Sequence, residues 1–254
     1  MGYPKDLLAT RAVIKPGLFA VIPREGLVNN IIPQIKNCKV SIVASPKMGA
    51  GFVQYVIEAQ PGGGVAETFG GEEDIESFIY CMDGQVGINA GKKSFMLTGG
   101  GYAYTPPGTG MSFENRGHEP CRLLFYKQRY IPCKEGQPYL YTGNVNLLEY
   151  RIYDGMSNVF IKDLLPADMG FDMNMHILSF SPGGCHPFAE THVQEHGAYI
   201  LEGEGMYMLD DRWMGIKKDD FIWFGPYVPQ CAYGVGTKPF TYIYSKDCNR
   251  DVAL

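Results

Sequence analysis

Short hydrophobic runs separated by turn-forming residues recur along the whole chain. The clearest runs read GFVQYVIEA, ESFIYCMDG, CRLLFYKQRY, MNMHILSFSP and FTYIYSKD, and β-branched and aromatic residues are frequent in them. Such residues favour strands, while the Gly, Pro, Asn and Asp residues between the runs favour tight turns. No long amphipathic helical pattern competes with this one. The pattern therefore predicts an all-β protein of the sandwich or barrel type.

Two pairs of markers indicate an internal repeat. Gly84 and Gly203 each close a hydrophobic run, and Lys127 and Lys246 each follow another run at the same separation. Two separate markers with one spacing are typical of a duplicated domain. The sequence therefore predicts two similar units in tandem.

The repeat sets the expected domain boundaries. We expect an N-terminal domain over residues 1–130, a linker over 131–170 and a C-terminal domain over 171–254. The N-terminal domain includes a leading segment before residue 35, which has few strand signals. We expect this segment to wrap around the other domain or around another subunit.

The composition is ordinary for a soluble globular protein, with 45% hydrophobic and 19% charged residues. The net charge is −5 and no basic run is present, which argues against a nucleic-acid partner. No apolar run is long enough to cross a bilayer, so no membrane partner is expected. The seven cysteines are scattered and include no Cys-x2-Cys pair, which favours a reduced, cytoplasmic protein.

A carboxylate and two imidazoles lie close together in sequence, at Glu190, His192 and His196. All three have even numbers, and side chains of equal parity on an extended segment share a face, even with a turn at residues 193–195. A helix would bring the two histidines together but would turn Glu190 away from them. Strand geometry therefore accounts for all three residues, and a converging set of this kind is typical of a metal site.

The first half of the chain lacks a comparable set, because the earliest histidine is His118. The sequence therefore predicts one metal site in the C-terminal half and a metal-free scaffold in the N-terminal half. Two further histidines lie near the site in sequence. His186 is either an extra metal ligand or, as we prefer, a solvent-exposed loop residue. His176 is interpreted as part of the core or of the pocket wall, and the sequence does not show whether either histidine contributes to the site.

The spacing Gly-x5-Glu-x-His-x3-His-x6-Gly, from Gly184 to Gly203, resembles the first motif of the cupin superfamily. In that motif the order of ligands is His, His and Glu, so the first and third are exchanged here, and Gln230 replaces a later histidine. Longer strings, GFDMNMHILSF, ETHVQEHGAYI and YIYSKDCNRD, are similar to the (S)-ureidoglycine aminohydrolase family of that superfamily. The resemblance implies a bicupin, with two tandem double-stranded β-helix barrels of jelly-roll type.

The resemblance also implies an activity and a set of site residues. The activity is hydrolytic deamination of (S)-ureidoglycine to (S)-ureidoglycolate and ammonia, in allantoin catabolism. The metal ligands implied by the resemblance are Glu190, His192, His196 and Gln230. The residues that it implies for substrate binding are Tyr207, Tyr242 and Lys246.

The chemistry of these ligands leaves the metal open. Imidazole and oxygen ligands without thiolate suit Mn²⁺, Fe²⁺, Co²⁺ and Zn²⁺, and the resemblance favours Mn²⁺. Glu190 and Lys246 are the expected catalytic residues. Glu190 would exchange a proton with the departing amine, and Lys246 would pair with the substrate carboxylate as a point charge.

Two other classes of function are compatible with these residues. The first is another metal-dependent cupin enzyme, either an Fe²⁺ dioxygenase or an isomerase. The second is a non-catalytic bicupin that binds a small molecule, although the retained ligand set argues against it. In every case the expected partner is a small molecule, and the edge strands of cupin barrels favour a homo-oligomer.

Overall fold

The computed structural model describes residues 11–252, and strands account for most of this range. In chain order the strands are β1 Val13–Lys15, β2 Phe19–Ile22, β3 Ile35–Ala44, β4 Phe52–Phe69, β5 Ile75–Asp83, β6 Gln85–Ala90, β7 Lys93–Thr98, β8 Gly101–Thr105, β9 Met111–Glu114, β10 Cys121–Arg129, β11 Tyr141–Asn144, β12 Arg151–Tyr153, β13 Met156–Asp163, β14 Met173–Phe180, β15 His196–Glu202, β16 Glu204–Leu209, β17 Arg212–Lys217, β18 Phe221–Phe224, β19 Gln230–Val235 and β20 Phe240–Asp247. Short 3₁₀ turns span Arg24–Gly26, Pro46–Met48 and Val145–Leu147. Within the described range, no helix has the length and apolar character that a membrane span requires. The all-β prediction is confirmed.

The strands form two antiparallel units. The N-terminal unit is a nine-stranded sheet of order β11-β8-β5-β10-β4-β9-β6-β7, with β3 paired to β4. The C-terminal unit combines an eight-stranded sheet, β1-β2-β18-β15-β20-β14-β13-β12, with a three-stranded sheet, β17-β16-β19. Each unit has its own apolar core, around Ile57 and Phe125 in the first and around Ile200 and Phe224 in the second. This is the tandem arrangement expected of a bicupin.

A third apolar core lies between the two units. In β10, Phe125 faces the N-terminal core while its neighbour Tyr126 faces this interface. In β20, Tyr242 faces the C-terminal core while Ile243 faces the interface. Both faces of these strands are therefore buried, which explains why their sequences are continuous hydrophobic runs instead of alternating ones.

Segments outside the two predicted repeats complete both sheets, and the leading segment packs on the other domain, which is one of the two arrangements expected of it. β11, from the expected linker 131–170, pairs with β8 in the N-terminal unit, whereas β12 and β13 extend the C-terminal sheet. The leading strands β1 and β2 also join the C-terminal sheet, where β2 pairs with β18. The physical reason is that apolar side chains of these short strands, such as Phe19 and Val159, are fully buried in the C-terminal core.

A network of charged groups crosses the interface between the units. Arg122 of β10 donates hydrogen bonds to Asp83 at 2.6 Å and to Asp219 of the C-terminal unit at 2.9 Å. Asp219 also accepts from Arg24 at 2.8 Å and from the Tyr199 hydroxyl at 3.1 Å. Burial opposes ionisation of Asp219, but these partners outweigh it and hold the pKa of Asp219 below its usual range.

Replacement of Arg122 with Met should lower the free energy of unfolding near neutral pH by about 2 kcal/mol. The reason is that the Asp219 side chain, which is 8% exposed, loses a charged partner. Because the pKa of Asp219 is lowered in the folded state, the stabilisation that Arg122 gives to the ionised Asp219 should be fully present above the ordinary carboxyl pKa. It should fade as the pH falls from about 4 through the folded-state value. Urea unfolding at several pH values measures both effects.

The matched control for this substitution is Arg116→Met. Arg116 pairs with Glu114 on the surface, where the two side chains are 50% and 55% exposed. Its loss should change the free energy of unfolding by no more than ~0.5 kcal/mol. Equal destabilisation by the two substitutions, or a loss for Arg122→Met that does not change with pH, contradicts this account of the interface.

Candidate metal centre and active site

One small, partly open cavity of the C-terminal unit, of about 20 Å³, gathers the residues that the sequence indicates. Its lining includes Glu190, His192, His196, Tyr207, Gln230, Tyr242 and Lys246. These residues belong to β15, β16, β19 and β20 and to the loop between β14 and β15. Strands that are distant in sequence therefore meet at one opening.

His196 is the first residue of β15, and a carbonyl group of the neighbouring strand holds its ring. Its Nδ1 donates a hydrogen bond to the Ser245 carbonyl oxygen of β20 at 2.8 Å, so the neutral ring keeps its lone pair on Nε2. His196 is 6% exposed. Burial, followed by the nearby His192, lowers the pKa of His196 well below its ordinary value. A neutral imidazole with Nδ1 fixed in this way is typical of a metal ligand.

His192 lies in the loop before β15 and has the same tautomer. Its Nδ1 donates to the Gln194 carbonyl oxygen at 2.9 Å. The loop is anchored by the Tyr227 backbone N–H, which donates to the His192 carbonyl oxygen at 2.8 Å. The ring centroids of His192 and His196 are 4.9 Å apart. Both imidazoles can therefore offer Nε2 to one bound ion.

An isolated antiparallel bridge pairs Glu190 with Gln230. Both of its backbone hydrogen bonds measure 2.9 Å, and residues directly opposite each other in such a pair project to the same side. The Gln230 side-chain amide donates to the Glu190 carboxylate, and its oxygen accepts from the Tyr207 hydroxyl at 2.9 Å. The bridge therefore puts a carboxylate and an amide oxygen side by side at the cavity.

The segment from Glu190 to His196 is extended only at its two ends, whereas the parity argument expects an extended segment with at most a turn at residues 193–195. Glu190 lies in the bridge, residues 191–195 form a loop, and His196 begins β15. The three side chains still line one cavity. They do so because the bridge to Gln230 and the pairing of β15 with β20 fix the two ends of the loop.

The chemistry of this donor set fits a divalent ion. Two neutral imidazoles, one carboxylate and one amide oxygen, without a thiolate, match Mn²⁺, Fe²⁺, Co²⁺ and Zn²⁺. Within the part of the chain that the structure describes, no three His, Cys, Asp or Glu side chains form a closed metal cluster. The Glu190 carboxylate bonds the Gln230 amide instead. Binding of an ion by both groups would replace that mutual hydrogen bond.

Two tyrosines and a lysine complete the cavity. Tyr207 and Tyr242 are 2% and 3% exposed, and burial raises the pKa of both hydroxyls well above the ordinary value. Both tyrosines therefore stay protonated and can donate hydrogen bonds. Lys246 lies on β20 at the same parity as Tyr242 and therefore on the same face of that strand. Its ammonium group adds a positive charge to the cavity beside neutral donors.

His186 and Tyr244 also line the cavity, and the sequence analysis assigned neither to it. His186 lies in the loop between β14 and β15, as interpreted, but it is only partly exposed, because Ala232 of β19 donates its N–H to His186 Nδ1 at 3.2 Å. Burial lowers the pKa of His186, against a smaller opposing effect of Glu190. The shared parity of Tyr244 and Tyr242 is a signal in the sequence. No such signal exists for His186, whose position depends on contact with β19.

His176 lies behind the cavity wall. Its Nδ1 hydrogen-bonds the Asp163 carboxylate at 2.9 Å, and its ring packs on Tyr244 with centroids 5.2 Å apart. The hydrogen bond to His176 is the largest cause that lowers the pKa of Asp163. His176 therefore supports the wall through Tyr244, as its interpretation as a core or wall residue requires.

The N-terminal unit reaches the site through Ser245. The Ser245 hydroxyl hydrogen-bonds the Tyr126 hydroxyl of β10, which partly offsets the rise in the pKa of Tyr126 that burial causes. Tyr126 donates to the Gln128 side-chain oxygen at 2.5 Å, and the Gln128 amide donates to Glu76 at 2.6 Å. A chain of hydrogen bonds therefore connects the residue that holds His196 to buried polar groups of the N-terminal unit.

Comparisons with known proteins identify the family. A family model described as the cupin domain matches residues 176–245. The chain is 50% identical to (S)-ureidoglycine aminohydrolase of Escherichia coli (strain K12), over 100% of this chain and 97% of that protein. It is 30% identical to (S)-ureidoglycine aminohydrolase of Arabidopsis thaliana, over 95% of this chain and 79% of that protein.

Solved structures give the same result for the fold. The crystal structure of protein Ylba from E. coli has a TM-score of 0.88 and 49% identity, and the match covers 100% of both chains. Oxalate decarboxylase of Lactobacillus farciminis has a TM-score of 0.68 at 10% identity, over 91% of this chain and 86% of that chain, and it shares the fold alone. From these relatives and from its fold, the chain belongs to the (S)-ureidoglycine aminohydrolase family of the cupin superfamily.

Proposed function

We propose that this protein hydrolyses (S)-ureidoglycine to (S)-ureidoglycolate and ammonia. The observation that supports the proposal most directly is the cavity, whose lining includes one carboxylate, two imidazoles and a side-chain amide beside a lysine and two buried tyrosines. The full-length relatives named for this activity supply the substrate. In the reaction the bond from carbon to the amine breaks and a bond to a water oxygen forms. No electrons are transferred, so no redox partner is needed.

We propose that Glu190, His192, His196 and Gln230 hold the metal ion, and that the ion is Mn²⁺. The single carboxylate leaves a divalent ion with about one positive charge uncompensated, and a bound ion would use this charge to polarise a substrate oxygen or a water. The thiolate-free donor set admits Mn²⁺ along with Fe²⁺, Co²⁺ and Zn²⁺, and the choice of Mn²⁺ among them rests on the family to which the chain belongs.

The remaining side chains would bind and orient the substrate. The Lys246 ammonium would pair with the substrate carboxylate, while the Tyr242 hydroxyl would donate a hydrogen bond to another polar atom of the substrate. The Tyr207 hydroxyl, which donates to Gln230 Oε1, would accept one. The Glu190 carboxylate would exchange a proton with the amine nitrogen as ammonia departs. The tyrosine rings, with centroids 6.1 Å apart, would exclude bulk water from the reacting carbon.

We also propose that the protein is a cytoplasmic homo-oligomer. All seven cysteines are unpaired, which suits a reducing compartment. Ile14 of β1 and Ile152 of β12 are 56% and 57% exposed on the two edge strands of the eight-stranded sheet. Apolar edge strands are commonly covered by a neighbouring subunit.

The first test of the proposed function is release of ammonia from freshly generated (S)-ureidoglycine, with Mn²⁺ present and oxygen excluded. We expect turnover by the native protein and a loss of more than about 100-fold in His192→Ala, because a direct ligand should matter more than its supporting hydrogen bonds. Exposed His118 of the N-terminal unit provides the control, and His118→Ala should keep full activity. Absence of ammonia release in this assay, or oxygen consumption when the assay is repeated in air, would favour another cupin activity.

The second test separates the two proposed roles of Glu190. Replacement with Gln keeps the size of the side chain but removes the charge and the proton acceptor. We expect kcat to fall by about 10²- to 10⁴-fold, with Mn²⁺ content lowered as measured by elemental analysis. Exposed Glu119 offers a control in Glu119→Gln, which should change neither quantity. Full turnover together with full metal occupancy in Glu190→Gln would exclude both roles.

A further inference from the structure

Of the two ring nitrogens of His186, one has a hydrogen-bond partner among the described residues and the other has none. Its Nδ1 accepts the Ala232 N–H at 3.2 Å. Its Nε2 is buried and has no hydrogen-bond partner among the residues that the structure describes. Buried polar atoms are nearly always paired in folded proteins, and an unpaired one is unfavourable. The unpaired atom belongs to a ring that lines the cavity.

The backbone determines which atom of His186 carries the proton. A backbone N–H only donates, so Nδ1 must hold the lone pair that accepts from Ala232. In the neutral imidazole the proton then lies on Nε2. Nε2 is therefore a hydrogen-bond donor and offers no lone pair to a metal. This distinguishes His186 from His192 and His196, whose Nδ1 atoms donate and whose Nε2 atoms are free to ligate.

The orientation of the ring is also fixed. The His186 backbone N–H donates to the Ala232 carbonyl oxygen at 2.9 Å, so two hydrogen bonds join this residue to Ala232 of β19. The ring stands edge-on against Phe180, with centroids 5.0 Å apart and an interplanar angle of 76°. Phe180 is fully buried. The donor is therefore held in place without a bound ligand, as expected of a preorganised recognition group.

We propose that His186 contacts the substrate directly and donates a hydrogen bond from Nε2 to the carbonyl oxygen of a ureido group. Lys246 is the cation of the cavity and suits the substrate carboxylate, which leaves the ureido oxygen as the other strong acceptor. A donor that selects an oxygen discriminates against analogues in which a nitrogen donor stands at that position. The identity of the substrate in this inference rests on the proposed function. The recognition of a ureido oxygen rests on His186 itself.

Two small carboxylic acids test this inference without any turnover. N-carbamoylglycine carries a ureido oxygen. Guanidinoacetate keeps the carboxylate but has an NH₂ donor of a positively charged guanidinium in place of that oxygen, so the two variants below separate the effect of His186 from the effect of this charge. Calorimetry with the Mn²⁺-loaded native protein should give N-carbamoylglycine an affinity at least about 10-fold higher. Equal affinities, or no binding of N-carbamoylglycine, would overturn the inference without any variant.

Two variants then assign the preference to His186. In His186→Asn the shorter amide does not reach the Nε2 position, and we expect the preference for N-carbamoylglycine to fall by about 10-fold or more. In His186→Gln an amide NH₂ lies near that position and should restore most of the preference. The Mn²⁺ content should be native in both variants. Loss of metal in either variant, or an unchanged preference in His186→Asn, would contradict the proposed contact.

The same experiments separate this inference from the proposed function. If the protein distinguishes the two acids through His186 but releases no ammonia from (S)-ureidoglycine, the proposed reaction is wrong and the recognition of a ureido oxygen stands. If ammonia is released but the His186 variants keep the native preference and the native KM, the reaction stands and the contact is wrong.

Discussion

The hydrogen bond from His196 Nδ1 to the Ser245 carbonyl oxygen determines the arrangement of the site. It lies where β15 meets β20, in a buried position, and measures 2.8 Å. It selects the tautomer in which Nε2 is free, and it ties that atom to the strand that also holds Tyr242 and Lys246. Strand alternation fixes the direction of each side chain. The contact between His196 and Ser245 therefore sets the position of His196, a proposed metal ligand, relative to Tyr242 and Lys246, the proposed hydrogen-bond donor and cation.

This contact also gives the N-terminal unit a physical role. Tyr126 and Gln128 of that unit extend the hydrogen bonding of Ser245 to Glu76. Burial, together with the nearby Asp172, raises the pKa of Glu76 well above its ordinary value, so the buried carboxyl favours its protonated form. The N-terminal barrel therefore contributes a buried polar support and one face of the apolar interface.

The sequence predicted the parts of this protein that depend on local pattern. Continuous hydrophobic runs such as β10 and β20 indicated strands, and the parity of Glu190, His192 and His196 indicated a common site. Tyr207, Lys246 and Gln230 came from family resemblance, because an isolated strand residue has no local signal for a role in a cavity. Residues that depend on pairing between distant segments were missed. His186 lies at the cavity through its pairing with Ala232, and the pairing of β11 with β8 in the N-terminal sheet has no local signal in the sequence.

The most direct test of this account is a crystal of the protein soaked in Mn²⁺, with anomalous diffraction recorded above the manganese absorption edge. The account predicts one strong anomalous peak in the C-terminal cavity. The peak should lie about 2.2 Å from an oxygen of Glu190, from Gln230 Oε1 and from Nε2 of both His192 and His196. A peak at another position, or a cavity without manganese and with these four side chains turned away from one another, would contradict it.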